Sequence, residues 1–135
     1  MTPQKVTMEE ILHPIELHYQ RSIPEMVLDW TEELVTRLQE DYERRYPDSS
    51  HSKKFEVKVG RKYLKINQYD LSPNGERWSG GVHAFVDKKT GEIYKAASWK
   101  SPAKYVRYDM RIINQRDYVL NPDNCGWAGG YLYLK

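Results

Sequence analysis

"VHAFVDKKTGEIYKAAS", residues 82–98, is the stretch whose reading decides the fold. Two runs rich in Val, Ile, Phe and Tyr, 82–87 and 92–98, flank the tetrapeptide KKTG. Gly91 can take the left-handed conformation that a bulged hairpin turn requires, so the pattern predicts two antiparallel strands. Upstream the same two-residue period holds. In "FEVKV", 55–59, Phe55, Val57 and Val59 face one way while Glu56 and Lys58 face the other. Gly60 permits a turn or bulge, and "YLKINQY", 63–69, reads as the next strand. "DLSPNGERWSGG", 70–81, is expected to be a long glycine-rich loop able to act as a flap.

Before residue 47 the period is that of a helix. From 25 to 46 Val27, Trp30, Leu34, Leu38 and Tyr42 recur at three- and four-residue steps, one apolar stripe of an amphipathic helix. Ser22 is placed to cap it, Pro24 sits in the first turn, and Pro47 ends it. An earlier helix is predicted from Met8, where Thr7-Met8-Glu9-Glu10 has the form of a capping box, limited or kinked by Pro14. After the hairpin, Pro102 to about Ile113 is ambiguous, with 103–113 having the spacing of a short helix, while 121–130 reads as a turn-rich loop and 130–135 ("GYLYLK") as a closing strand. The order implies an α+β fold, with N-terminal helices packed on one face of an antiparallel β-sheet. At 135 residues the chain is expected to be one domain, helical over 1–47 and β-rich over 55–135.

Composition narrows the function. The net charge of +2 hides 5 basic and 11 acidic residues in 1–50 against 16 and 8 in 51–135. An acidic helical part beside a basic β-rich part suits an anion-binding face, or a match between copies of the chain. Aromatics make up 13% of the chain, with 11 Tyr and 4 Trp against 2 Phe, read mainly as a tyrosine-rich sheet core. The single cysteine, Cys125, excludes an internal disulfide framework and fits a reducing compartment. No apolar run approaches the ~20 residues that span a bilayer, and the N-terminus lacks signal-peptide order, so no membrane partner is expected.

Catalytic chemistry finds little support. His13, His18, His51 and His83 lack ligand spacing to Cys or carboxylates, so no metal site is expected. Cys125 with His83 and an Asp has the residue types of a thiol site, but nothing in the spacing joins them. Ser79, in "WSGG", lacks the nucleophile-elbow pattern. No catalytic residue and no cofactor is expected.

The basic row after the hairpin is the candidate. Between 82 and 116 eight Lys or Arg are interrupted by three acids. If 103–113 is helical, Lys104, Arg107 and Arg111 share a face, with Trp99, Tyr105 and Tyr108 interleaved. Cations for phosphates and aromatic faces for bases are the two ingredients of nucleotide binding. Lys95, Ser98, Trp99, Lys100, Lys104, Tyr105, Arg107 and Arg111 are therefore the expected ligand-binding residues. The competing reading makes Trp99 a plug of the helix–sheet core and the basic row a solvated face.

Residues 82–104, with looser similarity in "VRYD" and "GYLYLK", resemble a segment of small, uncharacterised accessory proteins of tailed bacteriophages. The resemblance implies a context, a protein made in the host bacterial cytoplasm during infection, and no activity. The expected function is non-enzymatic binding of an anionic, nucleotide-like small molecule, for instance to sequester a signalling nucleotide of host antiviral defence. The alternatives are a single-stranded nucleic-acid-binding protein using the same surface, and a virion or assembly component whose long helix forms a homo-oligomer.

Overall fold

The structure, a computed structural model, describes residues 22–47 and 52–133. The helix expected from Met8 lies outside the described residues. Helix α1 (Ile23–Arg45) begins at a complete capping box. The Ser22 Oγ accepts from the Glu25 N–H at 3.3 Å, and the Glu25 carboxylate accepts from the Ser22 N–H at 3.2 Å. Two of the helix's otherwise unpaired N–H groups are satisfied in this way. Val27, Leu34 and Leu38 of the expected stripe are fully buried, and Trp30 and Tyr42 are half-buried against the same core. The helix stops at Tyr46, whose N–H still donates to the Tyr42 carbonyl, and Pro47 follows.

Five strands form an antiparallel meander in chain order: β1 (Ser52–Val59), β2 (Tyr63–Leu71), β3 (Arg77–Asp87), β4 (Glu92–Lys95) and β5 (Tyr108–Asp109). Helix α2 (Ile113–Leu120) packs against α1 and β5, and a 3-10 turn follows at Gly130–Leu132. The molecule is α+β, with an N-terminal and a C-terminal helix against the sheet. Phe55, Leu64, Ile66, Ala84, Val86 and Ile93 from the sheet share one core with Val27, Leu34 and Leu38 from α1. The hairpin turn is as expected: Gly91 has φ +77° and its N–H donates to the Asp87 carbonyl. A side chain there would also crowd Val27 Cγ2 at 3.2 Å and Met110 Cβ at 3.3 Å, so β-branched residues are excluded twice over.

Three expectations are corrected. The long flap is a tight turn, because β2 runs to Leu71 and β3 starts at Arg77. Arg77 extends the sheet by lying 4.3 Å over the Tyr69 ring and pairing with Glu56 at 2.8 Å. The helix expected over 103–113 does not form. Its backbone donors go to the edge of the hairpin: Ala103 N–H to Lys95 O, Arg107 N–H to Ile93 O and Met110 N–H to Gly91 O. Tyr105 takes φ +72°, and helix begins only at Ile113. Of the expected closing strand, Gly130–Leu132 forms the 3-10 turn, with Tyr131 and Leu132 both buried, which strict alternation forbids, and residues 134–135 lie outside the described residues.

One irregularity positions the site. Ile66 opposes Ala84, but Asn67 opposes Val82, so His83 is an extra residue in β3. This bulge lets His83 join Ala84 in burial, where its ring meets Phe55 edge-on at 5.9 Å.

Candidate ligand-binding site

The C-terminal segment builds a groove of about 480 Å³ beside β5, lined by Arg107, Tyr108, Asn114, Gln115, Tyr118, Tyr131 and Tyr133. Its wall is a tyrosine stack. The Tyr108 ring lies 5.7 Å from Tyr118 at 24° and 6.2 Å from Tyr131 at 28°. The Tyr108 hydroxyl donates to the Tyr131 carbonyl at 2.7 Å, which fixes the stack to the chain behind it. A smaller well of about 160 Å³ adjoins the groove and shares Tyr133 with it. Gln68, His83, Lys95 and Gly129 are among the residues that line the well.

The well is polar, and its floor is buried. The His83 Nε2 and the Tyr131 hydroxyl are 2.8 Å apart, both buried. Burial lowers the His83 pKa to about 4, so the imidazole is neutral at pH 7. Burial also holds the Tyr131 phenol well above its ordinary value. The second ring nitrogen, Nδ1, lies beside Gly129, where a Cβ would stand 3.9 Å away. Gly129 has φ +83°, which only a glycine adopts readily, and its lack of a side chain keeps the well open. The Gln68 Oε1 is buried with no hydrogen-bond partner among the described residues. The Lys95 ammonium stands 4.9 Å over the Tyr133 ring, at the boundary of well and groove.

The expected binding residues are dispersed. Lys95 lines the well and Arg107 the groove. Arg107 Nε donates to the Leu132 carbonyl, and its Nη1 to the carbonyls of Lys104 and Tyr105, all at 2.6 Å. Its Nη2 has no hydrogen-bond partner among the described residues. Arg111 is paired with Asp109 at 2.8 Å, and without the helix it shares no face with Lys104 and Arg107. The Ser98 Oγ accepts from the N–H groups of Lys100 and Ser101, holding a turn. Trp99 and Tyr105 are exposed, at 51% and 68%, so Trp99 is not a core plug. Lys104 is exposed, and Lys100 lines a different hollow with the β1–β2 turn.

Sequence reasoning missed Tyr108, Tyr118, Tyr131 and Tyr133 as one wall, and Gln68 and His83 as the floor. The tyrosine excess was the available signal. Cys125 is buried and its thiol is pushed up to about 11, chiefly by burial, so it is protonated at neutral pH. No group of three or more His, Cys, Asp or Glu able to hold a metal ion occurs among the described residues.

Fold and site together define an α+β chain with an aromatic groove opening beside a neutral, histidine-floored well. A model for a family of unknown function, DUF7717, matches residues 14–134, and the chain belongs to that family. No curated protein and no solved structure matches it.

Proposed function

We propose that the protein captures an anionic, nucleotide-like small molecule in the joined groove and well, without breaking a bond in it. The tyrosine stack offers a planar face to a base, and base–aromatic stacking contributes about 1–3 kcal/mol per base. The phosphate end meets Lys95 and the free Nη2 of Arg107. The neutral His83 ring and the Gln68 Oε1 supply hydrogen bonds to a sugar or to a protonated phosphate oxygen. The observation that carries this reading is the sharing of Tyr133 between groove and well, with Lys95 above its ring. In the phage setting that the sequence resemblance implies, stoichiometric capture of a host signalling nucleotide is the corresponding use.

Calorimetric titration with a panel of cyclic and ADP-ribose-type nucleotides tests the proposal. Saturable binding at one site is expected, with shallow salt dependence and the ligand recovered unchanged. Lys95→Ala should cost about 1.5–3 kcal/mol by loss of a charge-assisted bond, and Tyr118→Ala about 1–3 kcal/mol by loss of stacking. Failure of the whole panel to bind, or affinity untouched by both substitutions, would overturn it. A chemically altered ligand would overturn the non-enzymatic part.

A further inference from the structure

The turn end of the sheet carries a concentration of charge that the groove does not use. The β1–β2 turn and the β3–β4 turn lie side by side, joined by the Lys88 N–H donating to the Lys62 carbonyl at 3.0 Å. Lys58, Arg61, Lys62, Lys65 and Lys100 line one hollow of about 220 Å³, with Tyr63 and Phe85 among its walls. A second hollow of about 410 Å³ shares Arg61 and Lys62 and adds Lys88 and Lys89. Among the described residues Asp87 is the one carboxylate lining either hollow, and its Oδ1 accepts from the N–H groups of Lys89 and Thr90. None of the seven cations has a carboxylate partner among the ion pairs of the described residues.

Seven unpaired cations at one end repel one another, and a polyanion relieves that repulsion by displacing the counterions they hold. The aromatic at the rim identifies which polyanion. Trp99 is half-exposed, and its main-chain carbonyl accepts from the Lys65 ammonium, so the chain that carries the indole is tethered next to Lys100 at the hollow. The Lys62 and Lys65 ammonium groups lie 5.4 Å and 5.5 Å over the Tyr63 and Phe85 rings, which holds these cations at the surface. Spaced cations along an open surface with a stacking ring at its edge suit a flexible strand with accessible bases. We infer that this end of the sheet is a second site, which binds the phosphate backbone of single-stranded nucleic acid with Trp99 stacking on a base. It shares no residue with the groove.

Fluorescence anisotropy with a labelled oligothymidylate, over a series of salt concentrations, tests the inference on the full chain. The log–log slope should be about −0.7 per phosphate contacted, or roughly −3 to −4 for five. The double substitution Arg61→Glu, Lys62→Glu should weaken binding more than tenfold and flatten the slope by at least one, with the thermal melt unchanged. Trp99→Ala should weaken it at every salt concentration without changing the slope. Lys95→Ala should leave it intact, which separates this site from the groove. Undiminished binding by the Arg61/Lys62 variant would sink the inference. So would equal competition, charge for charge, by polyglutamate or by duplex DNA.

Discussion

Leu34→Ala is expected to lower the unfolding free energy by about 2–5 kcal/mol, the range for deleting a buried leucine side chain. Leu34 is fully buried at the middle of the α1 stripe, in the core shared with the sheet. Truncating its isobutyl side chain to a methyl takes away both the transfer term and contacts that a helix pinned at each end does not easily replace. The pins are the capping box at Ser22 and the buried Asp41. The Asp41 carboxylate accepts from the Trp127 N–H at 3.0 Å and pairs with Arg44 and Arg45 at 2.8 and 3.0 Å. Urea unfolding should show a lower midpoint with an unchanged slope. Ile23→Ala, at a 37% exposed position of the same helix, is the control and should shift stability little. A neutral Leu34→Ala would show that the stripe does not pack as described.

The second large effect is a dependence of stability on pH set by His83. Its folded pKa of about 4 lies below the ordinary histidine value of 6.5. Between these values the unfolded chain binds a proton that the folded protein does not. Stability therefore rises with pH through that window and falls as the solution is acidified from about 6.5 to 4. A difference of roughly two and a half units corresponds to about 3 kcal/mol. The cause is burial: the imidazolium would sit against Phe55 and Tyr131, with the Lys95 ammonium lining the same well. Unfolding free energies measured from pH 7.5 to 4 should show this loss. In His83→Gln most of it should vanish. An equally steep loss in that variant would assign the effect to other groups.

The two periodicities were enough to place most of the fold. The stripe from Val27 to Tyr42, the strand at 55–59 and the Gly91 turn each follow from local rules and match the structure, except that Val59, at the strand's end, is exposed. The errors lie where long-range partners override local preference. Residues 103–113 have helical spacing, but the open edge of β4 offers acceptors to their N–H groups, and Arg107 gathers three carbonyls from 104, 105 and 132. The candidate site was harder to read for the same reason. Its wall combines residues 108, 118, 131 and 133, and its floor depends on a bulge, which shifts His83 by one place relative to the alternation. A one-residue register shift leaves no mark in the sequence of a single strand.

The meander also fixes an order of assembly. Every strand pairs with its neighbour in the chain, so the sheet can form by closing one hairpin after another. The groove cannot. Its last wall returns to the sheet through the His83–Tyr131 contact, which spans 48 residues, and to α1 through Trp127 and Asp41, which spans 86. The backbone hydrogen bonds of 125–132 are meanwhile local: Cys125 to Asn121, Gly129 to Gly126 and Leu132 to Gly129. The segment has no strand ladder and is held by side-chain bonds and by the burial of Cys125, Tyr131 and Leu132 in the core, and we predict that it opens at a lower free energy than β2 and β3. Its amide protons are expected to exchange before those of β2 and β3, and to slow when a nucleotide occupies the groove. Exchange at the same rate as the sheet would show one cooperative unit. The groove is thus expected to form after the sheet and to open before it.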